Sequence, residues 1–320
     1  MELDLNHCSA VVTRYAFMLQ SQPIKMSRLY GPPKGKNKSG MTQAKGEKKL
    51  PYGLLYFENY ITPREKEEVF KYLNTLYPIW EMRFSKSNPP PAGQENRQLL
   101  RPVYWLGNWQ FACLNYYHPP KGIENRCVQA EPYPPILESL IQKIENIVRE
   151  TYNPKDIPRG WHLNTCLINF YGDKTDSEGK KIDCARVGEH KDFEPGPVAS
   201  ISFGERAIFQ FVASQSQRSQ SQVVFQQWLD DSSLQIFGGD RFKKQLFHRV
   251  QRVEKKNNFY FPLNEIQNFE TRRINFTFRY VPKEHFIRFQ KLPTNLQQDV
   301  LPYMQNLARH SAFFASELPT

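Results

Sequence analysis

The second half of this 320-residue chain is cut into short apolar-rich runs by Gly, Asp, Asn and Ser at close intervals. The runs are His162–Tyr171, Val198–Phe203, Ala207–Ala213, Gln222–Leu229, Ser233–Phe237, Phe247–Val253 and Arg273–Tyr280. Strands so closely spaced argue a double-sheet sandwich or barrel. The last run also shows what such a sandwich encloses. Residues two apart share a strand face, so Arg273, Asn275, Thr277 and Arg279 point one way while Ile274, Phe276, Phe278 and Tyr280 point the other. If the apolar face packs into the core, the polar, cationic face lines a pocket.

The first half reads differently. Thr62-Pro63-Arg64-Glu65 supplies an N-cap hydroxyl, a proline at the first helical position and an acid at the third. Val69, Phe70, Leu73 and Leu76 then fall on one face of a helix that ends before Pro78. A second helix follows Pro134-Pro135, with Leu137, Leu140, Ile141, Ile144, Ile147 and Val148 at helical spacing. Residues 84–133 between them, rich in Pro, Asn, Trp and Tyr, are expected to be irregular with short strands. Helices first and strands later predict an α+β fold with helices buttressing one sheet. The Ser214–Gln222 tract reads as a hairpin loop, and Leu292–Leu318 as a packing helix interrupted at Pro302.

The net charge of +11 is concentrated at one end. Between Lys25 and Pro51 stand eight Lys or Arg and one acid, Glu47, which leaves only +4 for the rest. A run such as Gly31-Pro32-Pro33-Lys34-Gly35-Lys36 cannot bury apolar surface, so residues 1–50 are expected to be a flexible basic extension. A domain spans 51–285, and 286–320 form a C-terminal helical extension. The five cysteines are scattered without a CxxC pair, which fits a reducing compartment. No run approaches the roughly 18 apolar residues of a membrane span. The expectation is a soluble intracellular protein, cytoplasmic or nuclear, with nothing requiring more than a monomer.

The candidate chemistry lies in His190-Lys191-Asp192 and, far downstream, His248. Two imidazoles and one carboxylate are the set that holds non-haem Fe(II) on one face and leaves positions open for a cosubstrate and O₂. A dicarboxylate cosubstrate needs two anchors, and two arginines on one strand face suit 2-oxoglutarate through planar, bidentate recognition. Asn169 and Tyr171 share a face of their own strand by the same parity.

These residues together make the chain resemble the AlkB-type Fe(II)- and 2-oxoglutarate-dependent dioxygenases over roughly Leu50 to Pro282. The resemblance is carried by Leu167-Ile168-Asn169-Phe170-Tyr171, His190-Lys191-Asp192-Phe193-Glu194, Val198–Gly204 with Ile208–Phe211, Phe237-Gly238-Gly239 ahead of His248, and the Arg273–Arg279 strand. It implies a double-stranded β-helix, or jelly-roll, with iron ligands His190, Asp192 and His248. It also implies Arg273 on the distal carboxylate of 2-oxoglutarate, with Asn275 and Tyr171 beside it. Arg279 would stand near the carboxylate adjoining the keto group, and Asn169 in the same pocket. Glu194 occupies the position at which the family contacts the substrate base.

The substrate implied is an N-alkylated base in DNA or RNA, oxidatively demethylated with release of formaldehyde, succinate and CO₂. A base must leave its stack to reach a buried metal, and Tyr104 and Trp105 are candidates to hold it, with Trp80, Trp109 and Phe111 nearby. Arg83, Lys86, Arg97 and Arg101 are candidate phosphate contacts. Two alternatives stay open: the same chemistry on a protein, lipid or small molecule, and a nucleic-acid-binding jelly-roll without catalysis. Two departures from the family pattern stand out. The charged stretch 172–189 is expected to extend a loop over the site. A long interval after His248 leaves two arginines, Arg272 or Arg273, to face the cosubstrate, with parity favouring Arg273.

Overall fold

The computed structural model describes residues 50–114, 127–213, 221–253, 256 and 259–318. The basic extension up to residue 49 and most of the Ser/Gln tract therefore lie outside the described residues. The strands are β1 (Leu54–Phe57), β2 (Val103–Leu106), β3 (Asn108–Trp109), β4 (Cys127–Gln129), β5 (Thr165–Thr175), β6 (Lys181–Asp183) and β7 (Val187–His190). They continue as β8 (Val198–Gly204), β9 (Ala207–Ala213), β10 (Gln222–Leu229), β11 (Ser233–Phe237), β12 (Phe247–Gln251), β13 (Phe269–Arg279) and β14 (Phe286–Ile287). The helices are α1 (Pro63–Leu73), α2 (Pro135–Thr151), α3 (Thr294–Ala308) and α4 (Ala312–Glu317).

The larger sheet runs β1-β11-β8-β13-β5-β2, with β6 paired to β5, and the smaller runs β10-β9-β12-β7. The two form a jelly-roll, the double-stranded β-helix implied by the resemblance. Strand parity divides the interior into two layers. Ile168 and Phe170 of β5, Ile201 and Phe203 of β8, and Ile274, Phe276 and Phe278 of β13 pack with Val69 and Leu73 of α1 and Leu140 and Ile144 of α2. Between the sheets, Val198, Phe209, Phe211, Leu229, Phe237 and Val250 form a smaller cluster. Each such side chain contributes about 1.5–3 kcal/mol through burial, so both faces of the larger sheet are anchored.

The helices begin where their caps require. Thr62 accepts from the Glu65 amide at 3.3 Å while the Glu65 carboxylate accepts from the Thr62 amide at 2.9 Å, a reciprocal cap for α1. In α2 the buried residues Leu137, Leu140, Ile141, Ile144 and Val148 form one stripe. The stretch beyond Pro282 joins the same core. Val300, Met304 and Leu307 of α3 are buried, Pro302 sits inside that helix without ending it, and Phe314 of α4 meets Trp109 edge-on at 5.7 Å.

Several boundaries differ from expectation: α1 ends at Leu73, short of Leu76, and the helix expected over 292–318 is two, α3 and α4. In the stretch 172–189 the first part, to Asp183, is a β-hairpin rather than a loop, and Val187 onward is β7: β5 runs on to Thr175 and returns as β6, with Asp173 opposite Asp183 and Thr175 opposite Lys181. Asp176 closes its turn by accepting from the amides of Glu178 (3.0 Å) and Lys180 (2.8 Å), and Gly179 adopts φ +81°, which glycine does at little cost. High charge reads as loop, yet a ribbon at a sheet edge carries charge without penalty. Strand β13 starts at Phe269, earlier than Arg273, because its first residues pair with the extended arm of β5. Strand β5 begins only at Thr165, after His162.

Candidate functional site

His190 ends β7 and His248 sits on β12, and the two are direct partners across the ladder, with ring centroids 4.2 Å apart. Asp192 lies just past β7. One ligand atom from each of the three falls within 4.8 Å of the others. Phe209 stacks on the His248 ring at 5.4 Å and Phe237 packs at 5.2 Å, which holds the imidazole in place. Burial lowers the His190 pKa and drives that of His248 well below the usual histidine value. Burial alone would push the Asp192 carboxyl up, but Arg279 foremost, and Lys243 after it, hold it well below the usual carboxylate range. Neutral imidazoles and an ionised carboxylate are the states that bind a metal.

The polar atoms are also aimed suitably. His190 Nδ1 lies 2.8 Å from the Gly188 carbonyl, and a proton donated there leaves Nε2 for a ligand bond. His248 Nε2 is 3.5 Å from Asp192 Oδ2, and that oxygen, although buried, has no hydrogen-bond partner among the described residues. Buried polar atoms are normally satisfied, so an orphaned carboxylate oxygen facing two imidazoles fits a divalent cation.

A narrow inner cavity adjoins these residues. Its wall includes Leu167, Asn169 and Tyr171 of β5 and Arg273, Asn275, Thr277 and Arg279 of β13, the alternate residues expected from strand parity. Arg273 is buried; Nη2 donates to Ser202 Oγ at 3.0 Å, while Nε and Nη1 have no partner among the described residues. A buried guanidinium with two open N–H directions is a cradle for a carboxylate. Arg279 donates from Nε to Asp192 Oδ1 at 2.9 Å and its Nη2 forms an ion pair with the same oxygen at 2.9 Å, so it braces the candidate metal ligand as well as lining the cavity. Asn275 is engaged within the protein, donating to Ser200 Oγ (2.7 Å) and the Ile201 carbonyl (2.9 Å). Arg272 points away into an ionic cluster with Asp173 (2.5 Å) and Glu205 (3.1 Å). A bulge between Thr271 and Arg273 separates the two arginines, and Arg273, the one on the parity face, lines the inner cavity.

The substrate-side expectations fare differently. Glu194 is buried and lines neither the inner nor the outer cavity; its carboxylate lies 3.7 Å from Arg279 Nε, and burial raises its pKa. It braces the site from behind. Its neighbour Phe193 is 47% exposed and stands in the outer wall. Tyr104 pairs with Ile168 and therefore faces the helices; its hydroxyl donates to Glu131 Oε2 at 2.8 Å and its ring meets Trp109 edge-on. Trp105 pairs with Leu167 on the opposite face but is buried in the core and lines neither cavity. Both rings are core residues, and β2 is too short for its pattern to show burial on either face. Trp109 and Phe111 stack on each other in the core.

An outer cavity of about 540 Å³ opens from the His190 and Asp192 side. Its wall carries Arg83, Arg97, Arg101, Arg186, Lys191 and Arg249 against only Glu189 and Asp192 as acids. Arg83, Arg97 and Arg101 were legible as candidate phosphate contacts. Arg186, Lys191 and Arg249 were not, since they come from separate strands and turns that only the fold brings together.

Comparison with known proteins adds the assignment. Among solved structures, that of OsALKBH1 is 18% identical, covering 73% of this chain and 99% of that one with a TM-score of 0.45. YcfD, a ribosomal oxygenase from Escherichia coli in complex with cobalt and succinic acid, is 10% identical, covering 82% of this chain and 65% of that one with a TM-score of 0.31. IDO from Bacillus thuringiensis is 13% identical, covering 72% of this chain and 91% of that one with a TM-score of 0.33. No curated protein sequence matches. At those TM-scores the structural neighbours carry no weight, and the family match does. The profile of the 2OG-Fe(II) oxygenase superfamily matches residues 53–279, a span that holds every ligand and cavity residue named above. The chain thus belongs to the 2OG-Fe(II) oxygenase superfamily and uses Fe(II), 2-oxoglutarate and O₂, with a His-Asp-His site that fits the iron.

Proposed function

We propose that this oxygenase is of the AlkB type and removes alkyl groups from N-alkylated bases of nucleic acid. The observation that carries the reading is the outer cavity. Six cationic side chains surround an opening that leads to His190 and Asp192, and phosphate backbones are recognised by such groups. A neutral or acidic wall would have favoured a lipid, protein or small-molecule substrate. The Arg273–Arg279 strand, with both guanidiniums on the cavity face, supports the AlkB-type placement.

In this reading His190, Asp192 and His248 hold Fe(II), while Arg273 anchors the distal carboxylate of 2-oxoglutarate through its open Nε and Nη1. Arg279 holds Asp192 ionised and oriented, and Glu194 and Lys243 surround that pair with opposite charge. Tyr171 and Leu167 line the inner cavity. Bound Fe(II), with 2-oxoglutarate and O₂, supplies the oxidising power to hydroxylate a nearby C–H bond, and an N-hydroxymethyl product releases formaldehyde. The protein's contribution is to place that C–H bond and exclude competing reactions. Phe193, exposed beside Asp192, is positioned to pack on an extruded base.

The test is the mass of a single-stranded oligonucleotide bearing 1-methyladenine or 3-methylcytosine after incubation with the protein, Fe(II), 2-oxoglutarate and ascorbate. Loss of one methylene mass, absent with Asp192→Ala, is expected. Succinate formation without any change in the oligonucleotide would sink the substrate assignment and leave the oxygenase.

A further inference from the structure

Arg101 belongs to both cavities. It lies in the irregular segment just before β2, outside the strands that carry the other inner-cavity arginines, yet it lines the inner cavity as well as the outer one. Its Nε donates to Asn169 Oδ1 at 2.7 Å. Its guanidinium lies 4.9 Å from the centre of the Tyr171 ring, and that of Arg273 lies 4.8 Å from the same ring. Tyr171 is thus shared between two cations, one from β13 and one from outside the sheet, at distances that make cation–π attraction effective.

The segment behind Arg101 is tied to the outer wall. The Arg83 amide donates to the Arg97 carbonyl at 2.9 Å and the Leu99 amide to the Glu81 carbonyl at 2.7 Å, so residues 81–83 and 97–99 move as one ribbon. Arg83, Arg97 and Arg101 from that ribbon all stand in the outer wall. A single side chain therefore joins the floor of the cosubstrate cavity to one wall of the substrate cavity.

We propose that Arg101 is a positioning residue that couples the two cavities. An anion in the inner cavity adds a charge that holds its guanidinium on Asn169 and Tyr171, where it already sits, and this keeps the 97–101 ribbon in the arrangement that receives substrate. The inference rests on the placement of 2-oxoglutarate in the inner cavity given above. Coupling of this kind is reciprocal, so substrate tightens cosubstrate binding by the same factor that cosubstrate tightens substrate binding.

The test uses the full chain loaded with Mn(II) in place of Fe(II), so that binding is read without turnover. Calorimetric titration measures 2-oxoglutarate affinity in the wild type, Arg101→Gln and Arg101→Lys. A second titration measures a 1-methyladenine oligonucleotide with and without 2-oxoglutarate. Arg101→Gln is expected to weaken 2-oxoglutarate about tenfold, the scale of one charge-assisted interaction, with Arg101→Lys between it and the wild type. In the wild type, 2-oxoglutarate tightens oligonucleotide binding several-fold, and in Arg101→Gln that tightening disappears. Equal 2-oxoglutarate affinity in all three proteins would overturn the proposal. So would an oligonucleotide defect of the same size with and without 2-oxoglutarate, which would make Arg101 a phosphate contact alone. Should Arg101→Gln fail to fold, Arg101→Lys carries both titrations. Failure of the wild type itself to bind 2-oxoglutarate would instead refute the cavity assignment. Failure to bind the oligonucleotide would refute the nucleic-acid reading, with the 2-oxoglutarate arm still deciding the role of Arg101.

Discussion

The inner and outer cavities share Arg101, Val187, His190, Asp192 and Val250 but are built by different means. The inner one is set largely by two paired strands, β5 and β13, where Asn169 faces Asn275 and Tyr171 faces Arg273 in a continuous antiparallel ladder. Its residues are held from behind by Ile168, Phe170, Ile274 and Phe276, each buried against the helices. The outer cavity takes its wall from an irregular ribbon, the 186–193 turn and strand, and the end of β12. A small, invariant cosubstrate is met by rigid elements, while the variable substrate is met by segments that can differ without disturbing the core.

Removing Arg273 breaks the inner cavity most directly. Arg273→Ala is expected to raise the KM for 2-oxoglutarate about 10- to 100-fold, the scale of charge-assisted hydrogen bonds, with no change in oligonucleotide affinity measured without cosubstrate. Succinate production against 2-oxoglutarate concentration reads this out. An unchanged KM would mean that the cosubstrate lies elsewhere.

Acidification probes the same region through the histidines. Reference histidines lose their neutral form as pH falls through about 6.5, and the sequence alone predicts that metal affinity weakens there. Burial depresses both His190 and His248 below that value in the folded chain. The unfolded chain therefore takes up protons first, so the stability these groups contribute is fully present above about 6.5 and is lost as pH falls towards their folded values. Metal affinity, measured calorimetrically with Mn(II), is expected to persist somewhat below pH 6.5. A decline that begins above it would contradict the burial argument.

Outside, the effects are electrostatic and smaller. Arg97→Gln combined with Arg186→Gln is expected to weaken oligonucleotide binding and reduce the slope of log affinity against log salt by about one per cation removed. The KM for 2-oxoglutarate should hold. A rise in that KM matching the loss of oligonucleotide affinity would dissolve the distinction between the cavities.

The smallest effect is expected at Tyr104, which belongs to neither cavity. Tyr104→Phe removes the hydrogen bond to Glu131 and should cost about 1 kcal/mol in chemical denaturation, with turnover unchanged. A large loss of turnover would return Tyr104 to the site.

Legibility in the sequence followed the same division. Strand parity identified the cavity-facing residues Arg273, Asn275, Thr277 and Arg279, with Arg272 left off that face beside the bulge. The capping residues Thr62 and Glu65 located α1. Glu194, expected at the substrate, lies buried off both cavities, because position along a motif does not say how deep a side chain sits: two residues past Asp192 the chain has turned inward. The 172–189 hairpin was missed because its charge resembles that of a loop.

What this sequence determined by itself is local and periodic: the alternation of β5 and β13, the caps and apolar stripes of the helices, and the candidacy of His190, Asp192 and His248 as a ligand set. These depend on residue type and spacing of two, three or four, which backbone geometry converts directly into faces. Only the tertiary structure decided that His190 and His248 are ladder partners, that Arg101 reaches Asn169 and Tyr171, and that six cations from distant segments converge on one opening. Such convergence comes from the packing of two sheets and a ribbon against one core, and no local pattern encodes the distance between residues that meet only when that core is formed.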